Sequence, residues 1–155
     1  MQNTEMQNAM PSGGGAIAWR RLPLVDLLAA MVAATSNALI YFAASGLGFI
    51  PQDVFIASPG GEAPLTVGPV VISSIAGAVG AAIVFALVGL FSRRPIRTFR
   101  IVAAVALVLS FVTPVTIPGA SVAMVLSLEL MHVVAWAVIV GLLTTLARRE
   151  KGETK

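Results

Sequence analysis

The sequence predicts an all-α membrane protein, a bundle of four transmembrane helices with both termini cytoplasmic and one outer loop between helices 1 and 2. Three observations predict this fold class. The 155-residue chain is 57% hydrophobic and only 11% charged, whereas soluble domains are about 45–50% apolar and about 25% charged. It contains four apolar stretches of roughly the 20 residues that cross about 30 Å of hydrocarbon. Its basic residues all fall on one side of these stretches.

The predicted spans cover residues 22–44, 67–91, 99–116 and 121–147. Segments of this kind must be helical in lipid, because their backbone groups find no water to bond there. The third span is the shortest, and Pro114 and Pro118 close it before a tight turn into the fourth. The spans therefore form one compact membrane domain.

Polar segments flank this domain, which extends over residues 19–147. Residues 1–18 are expected to form a disordered cytoplasmic tail, and residues 148–155 a basic cytoplasmic tail. A cleaved signal peptide is an alternative for the first span, with Arg20 and Arg21 as its basic start. The apolar region is longer than the roughly 7–15 residues of such peptides, so the span is expected to remain as an anchor.

The charge distribution predicts the orientation. With four spans, the basic residues all lie on the side of the two termini, and the opposite side carries Asp53 and Glu62 instead. The positive-inside rule then places both termini in the cytoplasm. Topology thus accounts for the basic character without nucleic acid, although the same residues can also attract anionic lipid headgroups. They are Arg20, Arg21, Arg93, Arg94, Arg97, Arg100, Arg148, Arg149, Lys151 and Lys155.

The predicted outer loop covers residues 45–66 and is rich in glycine and proline. Its apolar residues Phe49, Ile50, Phe55 and Ile56 are expected to rest in the membrane interface, with folding onto the mouth of the bundle as the alternative. Either arrangement keeps the loop close to the membrane surface.

Small residues at four-residue spacing predict which helices pack most closely. The first span has a row of Ala29, Ala33 and Asn37, and the second has two adjacent rows. Small residues let helix backbones approach each other in lipid, so spans one and two are expected to form the tightest pair. The two rows are Ser73, Gly77 and Ala81, and Ser74, Ala78 and Ala82.

Inserting an ionisable side chain at the membrane centre costs about 2.5–3.5 kcal/mol on insertion scales, so each one inside a span indicates a structural or functional role. Asp26 lies near the cytoplasmic flank, where it can reach the interface or pair with an arginine, so a structural role is expected. Glu129 and His132 lie deeper in the fourth span, and their i, i+3 spacing puts both on one helix face.

Hydrogen-bonding side chains of the other spans reach a similar depth, given a rise of about 1.5 Å per residue. Two interpretations follow. In the first, Glu129, His132 and Asn37 hydrogen-bond one another and hold the bundle together. In the second, the cluster lines a water-accessible outer pocket that binds a small solute or relays protons. The predicted ligand or proton site comprises Glu129, His132, Asn37, Ser73 and Ser110.

More specific chemistry finds little support in the sequence. Glu129 and His132 form the Glu-x-x-His pattern of di-iron proteins, but those proteins use two such motifs and two further carboxylates. Whether His132 ligates a haem or pigment is left open. No serine lies in a recognisable nucleophile elbow. Neither an enzyme nor a metal or other cofactor is therefore expected.

The function predicted first is that of an accessory or scaffolding subunit of the plasma membrane. The alternative is a transport or binding protein for a small solute or protons, which would use the outer-half cluster around Glu129, His132 and Asn37. The predicted partner is the lipid bilayer, with a homo-oligomer or a larger membrane complex left open and nucleic acid not expected.

The chain also resembles a family of small bacterial four-span integral membrane proteins of uncharacterised function. The resemblance covers most of residues 20–147 and implies the four-span fold and a bacterial plasma membrane, but no activity. It rests on Arg20-Arg21 before a first helix with Asn37, on Pro59-Gly60-Gly61, on Pro64-Leu65-Thr66-Val67-Gly68-Pro69-Val70, on Arg93-Arg94-Pro95 and on Met131-His132.

Overall fold

The computed structural model describes residues 17–51, 53–58 and 61–147. The predicted tail at 148–155, and all but the last two residues of the predicted tail at 1–18, lie outside these ranges. The described elements are, in order, α1 (Leu22–Gly46), β1 (Phe55–Ser58), β2 (Gly61–Pro64), α2 (Val67–Phe91), α3 (Pro95–Ser110), α4 (Val112–Val115) and α5 (Val122–Leu146).

Four stretches of helix are long and apolar enough to cross a membrane, namely α1, α2, α5, and α3 together with α4. The first three have 25 residues each, which at about 1.5 Å per residue exceeds the roughly 30 Å thickness of the hydrocarbon layer. The predicted all-α class with four helices of membrane-spanning length is confirmed.

The third span begins earlier than the sequence predicted. The predicted start at residue 99 left residues 95–98, with Arg97, outside the span, whereas α3 begins at Pro95 and includes them. Proline is favoured in the first turn of a helix, where its missing N–H group costs nothing. Long arginine side chains can extend from such a turn to the polar boundary of the membrane.

The predicted outer loop contains a β-hairpin that the sequence analysis did not anticipate. Strands β1 and β2 pair antiparallel from Phe55↔Pro64 to Ser58↔Gly61. The loop packs onto the helices, since Ile50 and Leu65 are buried beside Tyr41. The Tyr41 hydroxyl donates a hydrogen bond to the Leu65 carbonyl at 3.1 Å. We call this end of the molecule, which also includes residues 111–121, the hairpin end.

Helix α1 packs along both α2 and α5 to nearly the same extent. Its predicted row of small residues is used in this packing, because Ala29 and Ala33 are fully buried and Asn37 is 5% exposed. On α2 the row of Ser74, Ala78 and Ala82 is also buried. Spans one and two thus pack closely as predicted, but α5 is an equal neighbour of α1, which the small-residue pattern did not show.

Helix α3 is buried only where it begins. Its buried residues are Pro95 and Phe99, and the Phe99 ring meets Phe85 of α2 edge-on with centroids 4.8 Å apart. Further along, Arg100 donates a hydrogen bond to the Thr144 hydroxyl of α5 at 3.1 Å. From there to Ser110 no residue of α3 is buried. The tight packing of α3 is therefore confined to the half of the molecule opposite the hairpin end.

The segment before α1 closes that opposite end, which we call the terminal end. The Ala18 N–H donates to the Ala147 carbonyl at 2.8 Å, so the two ends of the described chain lie side by side. Ile17 is buried in the same apolar cluster as Phe85 and Leu143. Its side chain lies over Gly89, where any β-carbon would collide with it.

Candidate functional site

A cavity of about 530 Å³ lies in the hairpin half of the molecule, between α2, α5 and the residues around α4. It forms where α3 no longer packs tightly against α2 and α5. Of the five residues predicted as a site, Asn37, Ser73 and His132 line it, whereas Glu129 and Ser110 do not. Its other lining residues are Phe55, Ile56, Glu62, Leu65, Pro69, Val70, Ser74, Gly77, Thr113, Pro114, Thr116, Ile117, Pro118, Leu128, Met131, Ala135 and Ile139.

Asn37 is the most deeply buried of the predicted site residues. Its Nδ2 donates a hydrogen bond to the Ser74 hydroxyl at 3.0 Å. The amide orientation follows from the network, because the Ser74 hydroxyl gives its single proton to the Val70 carbonyl at 2.8 Å and so can only accept from Asn37. The carboxamide oxygen Oδ1 is buried and has no partner among the described residues.

His132 presents one free ring nitrogen. Its Nδ1 lies 2.8 Å from the carbonyl of Leu128, one turn earlier in α5. A carbonyl can only accept, so Nδ1 carries the proton, and in neutral imidazole Nε2 is left with a lone pair. Nε2 has no hydrogen-bond partner within the described residues. His132 is therefore a candidate acceptor on the cavity wall.

Ser73 completes the polar part of the wall on α2. Its hydroxyl donates to the Val70 carbonyl at 3.1 Å, the same oxygen that accepts from Ser74. Serine in a helix interior commonly donates back to a carbonyl three or four residues earlier. This leaves the lone pairs of the Ser73 oxygen for a group inside the cavity.

Glu129 and Ser110 lie away from this site. Leu128 lines the cavity, and the next residue projects about 100° further around a helix of 3.6 residues per turn. Glu129 is half-buried, and in the described part of the chain its side chain has no hydrogen-bond partner. The Ser110 hydroxyl donates to Leu107 of its own helix at 2.7 Å.

The predicted mutual hydrogen bonding of Glu129, His132 and Asn37 does not occur in this structure. Asn37 bonds Ser74 of α2, and His132 bonds the backbone of its own helix. Asn37 and His132 nevertheless line the same cavity. The direction in which each side chain points around its helix axis was not predictable, because it depends on how the helices pack.

Two residues at the mouth of the cavity, Glu62 and Phe55, were not among the predicted site residues. Both belong to the hairpin and are exposed, yet they line the cavity because the hairpin folds over it. The sequence contained one signal, since Glu62 is one of two charged residues on that side of the spans. Because the hairpin was not predicted, there was no reason in the sequence to place that charge beside a pocket.

Asp26, the third ionisable residue of the predicted spans, lies on α1 toward the terminal end. It is partly buried, and its Oδ1 has no hydrogen-bond partner in the part of the chain that the structure describes. Across the described ranges, no group of three His, Asp or Glu side chains could hold a metal ion. The cavity residues offer mainly hydrogen-bond acceptors, with few donors, within apolar walls.

Comparison with known proteins agrees with the family resemblance seen in the motifs. No curated protein and no solved structure matches the chain. A family model does match, over residues 17–149, a stretch that includes every described helix. Together with the four helices of membrane-spanning length, this match indicates a membrane protein without assigning it an activity. The chain belongs to DUF6069, a family of unknown function.

Proposed function

We propose that the protein is a membrane-embedded binding protein for a small molecule, which enters the cavity at the hairpin end. The observation that supports this most strongly is the cavity of about 530 Å³ with Asn37, Ser73 and His132 on its wall. Ligand sites in proteins are commonly clefts of about 300–1,000 Å³ with mostly apolar walls and a few placed polar groups. Binding without catalysis is the role that this set of side chains suits.

The unpaired oxygen of Asn37 supports a binding role over a purely structural one. A buried acceptor without a partner costs about 1–3 kcal/mol. A side chain kept only to join helices would be expected to use its hydrogen-bonding groups within the protein. Asn37 lines the cavity, uses an N–H group in this way and leaves its buried oxygen without a partner among the described residues.

We further propose that the chain lies in a bacterial plasma membrane with both termini in the cytoplasm. The bacterial membrane follows from the family resemblance. The orientation is supported by the described arginines, all of which lie toward the terminal end, whereas the hairpin segment carries Asp53 and Glu62. By the positive-inside rule the hairpin end then faces away from the cytoplasm, and the ligand enters from that side.

The absence of cysteine from the chain makes a thiol-accessibility test direct. Ser73→Cys places a thiol on the cavity wall, and Ser127→Cys places one at a buried position of α5 that does not line the cavity. In intact cells, a membrane-impermeant methanethiosulfonate reagent should modify the first variant much faster than the second. Equal rates would contradict a cavity open to the outside, and labelling only in inverted vesicles would reverse the proposed orientation.

Two glycines of α2 allow a matched test of binding. A β-carbon at Gly77 or Gly80 meets nothing within 4 Å, but only Gly77 lines the cavity. Gly77→Leu should therefore fill the cavity, whereas Gly80→Leu should leave it unchanged. Mass spectrometry of small molecules extracted from the purified proteins should detect a compound in wild type and Gly80→Leu that Gly77→Leu lacks. The same extract from all three would contradict the proposal.

An accessory or scaffolding subunit is the second candidate, as the composition of the helices first suggested. The small residues of one row on α2 are already used within the chain, against α1. This role predicts that partner proteins co-purify with wild type and with Gly77→Leu alike. The binding role predicts that filling the cavity in Gly77→Leu removes the small molecule that co-purifies with wild type.

A further inference from the structure

We propose that the ligand is an organic ammonium ion with an apolar body, in which N–H groups face the polar wall of the cavity. This inference rests on the proposed function, because it takes the cavity to be a ligand site. It follows from which protons on the wall are already used by the protein and which lone pairs are left.

The wall formed by α1 and α2 offers acceptors. The hydroxyls of Ser73 and Ser74 both donate to the Val70 carbonyl, and one of the two N–H groups of the Asn37 amide donates to Ser74. What remains on these cavity-lining residues is the Ser73 oxygen and, on Asn37, the unpaired Oδ1 and one N–H group. Oδ1 is shielded in this conformation, so a ligand reaches it only after a small shift of the wall. The hydrogen bond that this buried acceptor then gains would offset the free-energy cost of the shift.

The walls formed by α5 and the α4 region follow the same pattern. His132 donates from Nδ1 to the Leu128 carbonyl, so Nε2 remains as an acceptor. The Thr116 hydroxyl donates to the Thr113 carbonyl at 2.9 Å. Thr113 itself has an uncommitted hydroxyl, but it is exposed at the rim. A ligand that only accepts hydrogen bonds would therefore find few donors here, whereas a ligand with several N–H groups would find acceptors on two walls.

Charge at the mouth of the cavity favours the same ligand. Glu62 is the one charged residue among the described lining residues apart from the titratable His132, and it is exposed on β2. The described arginines all lie toward the other end of the molecule. The ring of Phe55 also lines the mouth, and aromatic faces attract cations. An entering cation thus meets a carboxylate and an aromatic ring, and none of the described arginines lies at this end of the molecule.

The remaining walls are apolar and suit the body of the ligand. Leu128, Ile139 and Ala135 of α5 face the cavity together with Val70 of α2. An ammonium group on an apolar body satisfies both parts of the site at once. A free amine and the headgroup of a lipid such as phosphatidylethanolamine both present the same N–H groups, so either source supplies this chemistry.

Four probes with one apolar body separate the contributions of charge and N–H groups. They are 4-phenylbutylammonium, 4-phenylbutyltrimethylammonium, 4-phenylbutanol and 4-phenylbutyrate. Binding is measured by equilibrium dialysis against the full chain in phosphatidylcholine nanodiscs, with empty nanodiscs to subtract partitioning into lipid. The primary ammonium should bind about tenfold more tightly than the trimethylammonium and the alcohol, because it alone combines charge with N–H donors. The carboxylate should show no saturable binding.

Substitutions test whether the cavity residues Asn37 and Glu62 cause these differences in affinity. Asn37→Leu should weaken binding of the primary ammonium about tenfold with little effect on the trimethylammonium. Glu62→Gln should weaken both cations and leave the alcohol unchanged. Asp53→Asn is the matched control, since Asp53 carries the same charge on the same segment but does not line the cavity. Should Asn37→Leu fail to fold, Glu62→Gln against Asp53→Asn still provides the test.

The outcomes separate this inference from the proposed function. If Gly77→Leu abolishes binding but the carboxylate binds as tightly as the ammonium, the ligand class is wrong and the cavity remains a binding site. If no ammonium probe binds saturably although Ser73→Cys is labelled from outside, the inference is likewise overturned. If probes bind equally well to Gly77→Leu, they do not bind in the cavity, and the proposed function fails. In nanodiscs containing phosphatidylethanolamine, competition identifies a lipid headgroup as the ammonium source, and unchanged probe binding identifies a free amine.

Discussion

Replacing Asn37 by leucine should stabilise the protein, although it removes a hydrogen bond between two helices. The substitution loses the bond from Nδ2 to Ser74, and such bonds average about 0.6 kcal/mol in membranes. It also removes the buried Oδ1 that has no partner among the described residues, which costs about 1–3 kcal/mol. Ser74 keeps its bond to Val70. The free energy of unfolding should therefore rise by roughly 0.5–2 kcal/mol.

Removing the other partner of the same bond should have the opposite effect. Ser74→Ala leaves the N–H group of Asn37 unpaired in addition to its oxygen, which should lower the free energy of unfolding by about 1–3 kcal/mol. In the double variant the whole of that loss should disappear and the protein should be about as stable as Asn37→Leu alone, because both unpaired groups of Asn37 are gone. The two single changes are therefore expected to be strongly non-additive, as for residues in direct contact.

The assay is reversible unfolding in mixed micelles titrated with dodecyl sulfate, followed by far-ultraviolet circular dichroism. Ser110→Ala is the control, because the Ser110 hydroxyl bonds only within its own helix and its loss should change stability little. A larger loss of stability in Asn37→Leu than in Ser74→Ala would refute the reasoning. It would mean that the oxygen of Asn37 is satisfied within the folded protein, and that the residue serves to join helices.

Three further predictions concern the packing that frames the cavity. Gly89→Ala should cost up to about 2 kcal/mol, because its β-carbon displaces the terminal methyl of the buried Ile17, an overpacking cost of about 1–3 kcal/mol that helix propensity offsets by about 1 kcal/mol. Ile17→Ala should therefore lower the melting temperature less in the Gly89→Ala background than in wild type. Tyr41→Phe removes the hydrogen bond to Leu65 and should lower the free energy of unfolding by about 0.5–1.5 kcal/mol. Proteolysis in the hairpin should become faster, and an unchanged rate would mean that this hydrogen bond does not hold the hairpin on the helices. Phe99→Ala should cost about 3–5 kcal/mol, since Phe99 is one of two buried residues of α3, and calorimetry showing a loss below 1 kcal/mol would contradict the packing described.

The comparison of Asn37 with Glu129 shows how far the sequence predicts the candidate site. Depth in the membrane follows from counting residues, since each adds about 1.5 Å along a helix axis, and the groups expected at one level do include three that line one cavity. The direction of each side chain around its axis depends on the neighbouring helices. For this reason Glu129, adjacent to the cavity-lining Leu128, lies outside the cavity.

The start of α3 shows a similar limit for the fold. The third span was predicted to begin at residue 99, which left Arg97 outside it and placed Arg100 in its first turn. In the structure both arginines belong to the helix, and Arg100 bonds Thr144 of α5. A side chain on another helix, 44 positions away in sequence, thus provides a hydrogen-bond partner for an arginine in this apolar span.

The sequence by itself determined the class of this protein and the number of its membrane-length helices among the described residues. These properties are local, because the length and apolar composition of each stretch suffice to make it a helix in lipid. Only the tertiary structure decided that α3 packs at one end, that the hairpin brings Glu62 over the opening, and that Asn37 bonds Ser74. These properties depend on contacts between segments far apart in the chain, which depend on side-chain shape and packing between helices.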